Sequence, residues 1–217
     1  MGRLSRGLLP VLLFLCCASQ SWAEFTLTKG ITLHQEYNDN VDLDSEDEED
    51  DFITTITPSL GLTWKVSDVD LSLNLSLDIK EYWKNTEDDS VNANAAEAST
   101  LNSTFDLYRG VVFLRIADTF SRVTIDEGEE GGQGSNVTNQ TDSNLLIINP
   151  YLQFTPLSDL QIKLGYSYEN QWYEDEDGDD AESHIYDLVM TKSITERVVA
   201  SLSGSHRLYR PKNPSET

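Results

Sequence analysis

Cysteine is nearly absent from this 217-residue chain, and both copies, Cys16 and Cys17, lie within its first 23 residues. The remainder has no disulfide or thiolate chemistry to draw on, which argues against a small exported domain of the disulfide-stapled kind. No apolar run approaches the roughly 20 residues that a membrane-spanning helix needs. Hydrophobic residues make up 38% of the chain, below the ~45–50% of ordinary globular domains, so a large soluble core is not expected. Bases are scarce as well, with 15 against 38 acids. The resulting net charge of −23 excludes nucleic acid as a natural partner, because phosphates would be repelled. Aromatic residues, at 9%, are too frequent for a wholly disordered chain.

The N-terminus reads as an export signal. Arg3 and Arg6 precede an apolar run from Leu8 to Ala18, and Ser21-Trp22-Ala23 puts small residues where a signal peptidase cuts. The expected division is a signal peptide over residues 1–23 and an exported part over residues 24–217.

Beyond the signal, side chains alternate with a period of two. Between Val69 and Tyr82, residues Val69, Leu71, Leu73, Leu75, Leu77 and Ile79 share one face. Asp70, Ser72, Asn74, Ser76, Asp78 and Lys80 share the other, the pattern of a strand with one apolar and one polar side. Phe25 to Tyr37 and Leu160 to Trp172 repeat it, the second with Glu169 on its polar side. Weaker versions cover residues 52–66, 101–117, 120–125, 145–155, 185–192 and 197–210. No helical period of comparable length competes. The expected fold is all-β, an antiparallel up-and-down meander of about nine strands.

The connections are of two kinds, in alternation. Short turns are expected at Ser67-Asp68, around Asp118, at Pro156 to Asp159 and at Ile194 to Glu196. Long loops are expected at Asn38 to Asp51, Asn85 to Ser99, Asp126 to Ser143 and Glu174 to Ser183. The long loops hold nine, four, five and seven acidic residues, 25 in all, and no Lys or Arg. All the net charge therefore falls on one rim. Both ends of a soluble sandwich face the same water and have no reason to sort their loops in this way. A transmembrane β-barrel does, with short turns on one side and long loops on the other. Trp64, Trp83 and Trp172 stand near strand ends, where interfacial aromatics belong.

Residues 24–217 are thus expected to form an outer-membrane β-barrel or part of one. Ser72, Asn74, Ser76, Asp78, Lys80 and Glu169 would line its aqueous interior. Between Leu107 and Val112 the apolar positions change parity, which predicts a β-bulge at Gly110 that returns Arg115 to the interior.

Residues that carry chemistry are few. His34, His184 and His206 fall on separate strands, near the rim only as His34 with Glu36 and His184 with Asp187, and no nucleophile motif accompanies them. No enzymatic activity is expected. Asp175, Asp177, Asp179 and Asp180 surround Gly178 in the manner of a calcium loop. With Gly178 as its sixth position, however, Tyr173 and His184 occupy the first and twelfth places, where carboxylates are required. Weak, diffuse binding of Ca²⁺ or Mg²⁺ by the crowded carboxylates is the remaining expectation, and no other cofactor is implied.

The stretches DFITTITPSLGLTW, FLRIADTFSRVTID and NPYLQFTPLSDLQIKLGYSYENQWY, with Asp39-Asn40 before them and Pro58 and Pro150 within them, resemble the outer-membrane β-barrel, porin-like family found with exopolysaccharide and PEP-CTERM export systems. The resemblance covers Phe25 to about Arg210 and is specific for architecture rather than activity. It implies a bacterial outer-membrane location, with membrane lipid and lipopolysaccharide as partners and polysaccharide export components as further ones. Members of the family are longer. With an odd strand count and no terminal aromatic in RPKNPSET, this leads to the expectation that the barrel is incomplete in this chain. Two functions are compatible with these features. One is a porin-like channel linked to exopolysaccharide export. The other is a structural or surface-binding barrel whose acidic loops bridge divalent cations to lipopolysaccharide or a glycan.

Overall fold

The structure, a computed structural model, describes residues 24–41, 49–94, 97–124, 140–174 and 179–212. It contains the strands β1 (Glu24–Asn38), β2 (Asp51–Val66), β3 (Val69–Tyr82), β4 (Ser90–Ala93), β5 (Ser99–Tyr108), β6 (Val112–Thr124), β7 (Gln140–Leu157), β8 (Leu160–Tyr173), β9 (Ala181–Thr195) and β10 (Val198–Pro211). They build one antiparallel sheet in the order β1-β2-β3-β5-β6-β7-β8-β9-β10, and the short β4 also pairs with β3. This is the expected all-β meander. Among the described residues the one helical element is a 3-10 turn at Thr86–Asp88, and no helix is long and apolar enough to cross a membrane. The sheet is open, with β1 and β10 at its edges.

Its two faces are inverted relative to a soluble protein. Ser76 on β3 is 6% exposed, while its neighbours Leu75 and Leu77 on the opposite face are 38% and 37% exposed. On the interior strands Thr141, Ser143, Asn149 and Ser183 are buried, whereas Leu152 and Leu164 are exposed. In water a contiguous apolar surface of this extent would drive association. Among the described residues the one buried apolar cluster, Val41, Ile53 and Tyr82, sits at the long-loop end of β1 to β3.

The short turns step along the sheet. Val69, the first residue of β3, lies opposite Phe105, three residues before β5 ends. Val112 lies opposite Leu152, five residues before the end of β7, and Leu160 opposite Lys192, three before the end of β9. A stagger of one sign, repeated from hairpin to hairpin, is what tilts strands against a common axis and lets a sheet curve towards a barrel.

Three expectations need correction. Residue Gly110 is not in a bulge within one long strand. It is in the turn of the β5–β6 hairpin, where Val111 N–H donates to the Tyr108 carbonyl at 2.8 Å. Arg109 and Gly110 have φ of 46° and 70°, the pair of positive angles of a type I′ turn, whose twist matches that of the flanking strands. Asp106 fixes the turn by accepting from Gly110 N–H at 2.6 Å and Tyr108 N–H at 3.1 Å. Conversely, Asp118 is not at a turn, because β6 runs through it without a break. The alternation of short and long connections survives the shift, since one turn has simply replaced the other. The long loops are also shorter than expected: Asp51, Asp142 and Glu182 belong to strands, and residues 90–93 form β4.

Candidate functional site: a polar wall, a graded apolar face and an acidic rim

Cross-strand register places all six residues expected in the interior on one polar face. Ser72 heads a continuous row through Asn102, Ala117, Ile147, Glu169, Ser183 and Tyr209. Asn74, Ser76, Asp78 and Lys80 follow Ser72 at every second residue of β3. Asn74 Nδ2 donates to Thr100 Oγ1 at 3.5 Å, and Asp78 Oδ1 accepts from Thr57 Oγ1 at 2.6 Å and Asn94 Nδ2 at 3.0 Å. Glu169 is paired with the Arg207 guanidinium. Arg115 also faces this side, donating to Asn102 Oδ1 at 3.4 Å.

Further charged and aromatic groups share the face. Lys163 Nζ stands 4.3 Å from the ring centre of Tyr151, which stacks on Phe113 at 4.9 Å. Asp187 lies opposite Gly165, where a Cβ would meet the Asp187 Oδ1 at 2.3 Å, so the bare glycine makes room for the carboxylate. The wall therefore mixes Lys80, Arg115, Lys163 and Arg207 with Asp78, Glu169 and Asp187. A shallow pocket of mixed lining opens on it near the long-loop end, where Glu169, Ser183 and Arg207 meet Leu145, Ala181 and Tyr209.

The opposite face is graded from one end to the other. On β8 to β10 the rows nearest the short turns are Ile162–Met190–Leu202 and Leu164–Leu188–Gly204. Next come Tyr166–Tyr186–His206 and Tyr168–His184–Leu208, and then Asn170–Glu182–Arg210. Tyr166 Oη and His184 Nδ1 are hydrogen-bonded at 2.8 Å, and Tyr166 packs on Tyr186 at 5.3 Å. In the charged row, Lys212 Nζ reaches Glu182 at 3.4 Å. Beyond the other end of the apolar rows, Lys192 pairs with Asp159 at 3.4 Å. Trp172 stands opposite Asn144 at the long-loop end. On β1 to β3 that end carries Tyr37, Phe52 and Trp83, with ring separations of 5.0 and 5.5 Å, while Phe25 and Trp64 pair at the short-turn end.

Among the described residues, Asp118 and Lys29 place charges between the apolar rows rather than at their ends. Asp118, between Leu101 and Leu146, accepts from Asn144 Nδ2 at 3.0 and 3.1 Å. Lys29 stands on β1, opposite Leu60. The histidines do not converge on a site. His34 is on the polar face, 3.8 Å from Glu36, whereas His184 and His206 are on the apolar one. His184 and Asp187, near in sequence, lie on opposite faces of β9.

At the rim, acidic side chains tie down strand ends. The buried Asp51 carboxylate accepts backbone N–H groups of Phe52, Trp83, Lys84 and Asn85 at 2.6 to 3.1 Å. Asp89 accepts from Tyr82 N–H and Asp180 from Tyr173 N–H, both at 2.8 Å. Asp142 accepts from Ala93 N–H at 3.0 Å and pairs with Arg122 at 3.4 Å. These bonds satisfy donors that the sheet ladder leaves open. Lys84 Nζ donates to Asp50 at 2.6 Å, which holds the Asp50 carboxyl below its ordinary pKa and the Lys84 ammonium above its own. Of the four aspartates around Gly178, Asp179 is exposed, Asp180 holds Tyr173, and Asp175 and Asp177 lie outside the described residues. Among the described residues no three His, Cys, Asp or Glu side chains are grouped to hold a metal ion. No family model, no curated protein and no solved structure matches this chain.

Proposed function

We propose that the chain forms the wall of an outer-membrane β-barrel and serves as a porin-like channel, with its polar face towards water and its apolar face towards lipid. The observation that carries this reading is the inverted sheet: serines and threonines enclosed, leucines exposed. A second supports it. On β8 the apolar and aromatic positions run from Leu160 to Tyr168 before Asn170 interrupts them. Nine residues at ~3.3 Å each, in strands tilted ~40°, give a band about 23 Å tall, close to the ~25 Å lipid-facing band of such barrels. Delivery through a cleaved signal peptide puts the short turns in the periplasm and the acidic loops outside. Membrane lipid and lipopolysaccharide then contact the apolar face and its rim. The link to polysaccharide export components rests on the family resemblance. No covalent chemistry is part of the proposal.

The channel is expected to favour cations. A single-sign ring of carboxylates over a low-dielectric rim concentrates counter-ions at the mouth, whereas the polar wall, with both signs, gives little discrimination of its own. The field extends over a Debye length, about 10 Å at 0.1 M salt and about 3 Å at 1 M. Reversal potentials across planar bilayers in a KCl gradient test this: cation preference at low salt that fades at high salt supports the channel. A properly inserted assembly without conductance leaves the structural, cation-bridging barrel as the better reading.

A further inference from the structure

We infer that the sheet is completed by an odd number of additional β-strands, contributed by polypeptide outside residues 24–212, with descending strands lying against both β10 and β1. The inference rests on the reading above that the sheet closes around its polar face. Its premises are the direction, length and side-chain order of the two edges.

β1 begins with Glu24 opposite Lys65, at the short-turn rim, and ends with Asn38 opposite Asp51. β10 begins with Val198 opposite Thr195, at the same rim, and ends with Pro211 opposite Ala181. The two free edges therefore run the same way. Joined to each other they would form the one parallel ladder in an otherwise antiparallel sheet. A second copy of the chain does not remove the conflict. Rotation about the membrane normal sets β10 of one copy beside β1 of the next, again in parallel. Rotation about an axis in the membrane plane sends the acidic loops of the two copies to opposite sides. An odd number of intervening strands makes both junctions antiparallel and the total along the ladder even.

The edges also specify what they receive. They are 15 and 14 residues long and exposed over nearly their whole length, with about half of their N–H and C=O groups pointing away from the sheet. Lipid cannot satisfy those groups, but a full-length neighbouring strand can. The alternation continues across the gap. Beside Leu27, Ile31 and Leu33 on β1, and Leu202 and Leu208 on β10, the incoming strands present apolar side chains. Beside Thr26, Thr28 and Thr32, and Ser201, Ser203 and Ser205, they present polar ones.

Paired cysteines introduced into the chain in its native membrane test the inference. Ser203→Cys with Val189→Cys, direct partners on β10 and β9, is the control and should form a disulfide. Thr28→Cys combined in turn with Ser201→Cys, Ser203→Cys or Ser205→Cys should not. A photo-crosslinking residue at Ser203 should give an adduct whose peptides lie outside residues 24–212. A β1–β10 disulfide within one chain overturns the inference in favour of self-closure, as does an adduct made of two copies of residues 24–212. A failed control contradicts the register and takes the inference with it. A chain that stays in the soluble fraction rejects the barrel reading itself.

Discussion

Replacing Leu73 by Arg should block stable insertion, while the same replacement one residue later should be tolerated. Leu73 lies on the apolar face of β3, between Leu62 on β2 and Leu101 on β5. It is four residues from the short-turn end of the strand. At ~3.3 Å per residue and a tilt of ~40°, that is about 10 Å into a ~25 Å band, near its midplane. An Arg there costs about 2–4 kcal/mol, or roughly 30- to 1,000-fold in the folding equilibrium. Asn74 points the other way, exposed on the polar face beside Thr100, where an added guanidinium stays hydrated. The assay is urea-dependent folding into lipid vesicles, read by the mobility of unheated protein on gels. Leu73→Arg should lose the folded band at urea concentrations where wild type and Asn74→Arg retain it. Equal behaviour of the two variants would refute the assignment of faces.

Other consequences are more local. Gly110→Val forces a β-branched residue to φ near 70° and should cost about 1–2 kcal/mol, lowering the urea midpoint, with Gly110→Asn milder. The Asp50–Lys84 tie should be sensitive to pH at both extremes. Lowering the Asp50 pKa adds stability above its ordinary 3.8, and that stability is lost as pH falls through the depressed value. Raising the Lys84 pKa adds stability below its ordinary 10.5, lost as pH rises through the elevated value. Protection factors of the residue 83–85 amides, which correct for the intrinsic pH dependence of exchange, should therefore be highest between these limits; Lys84→Met should remove the alkaline loss and leave the part of the acid loss that Asp51 and the Tyr37–Asp50 bond carry. Finally, an impermeant maleimide added to whole cells should label Glu87→Cys in the 3-10 turn and spare Asp68→Cys, and the reverse pattern would invert the orientation.

The strands were legible where one face is uniformly apolar, as in Val69 to Tyr82, because a period of two is visible without knowing the partners. Asp118 misled because a charge on an apolar face looks like a turn. Its carboxylate is instead satisfied by the amide of Asn144, 26 residues away, a relation that only the pairing of β6 with β7 creates. The true turn was hidden because Arg109 takes a positive φ, for which its sequence gives no signal beyond the adjacent glycine. The rim was half legible. Its charge can be counted in the sequence, but the duty of Asp51, Asp89, Asp142 and Asp180 in holding strand ends depends on which backbone N–H groups the fold brings near.

The most direct test of the account is a spin-label scan along β3 from Leu71 to Lys80 in lipid vesicles, comparing collision with oxygen and with a water-soluble nickel chelate. The account predicts strict alternation. Labels at 71, 73, 75, 77 and 79 should meet oxygen, and labels at 72, 74, 76, 78 and 80 the nickel chelate. Uniform access of the chelate to both sets would show a sheet with water on both faces and would contradict the membrane-spanning barrel.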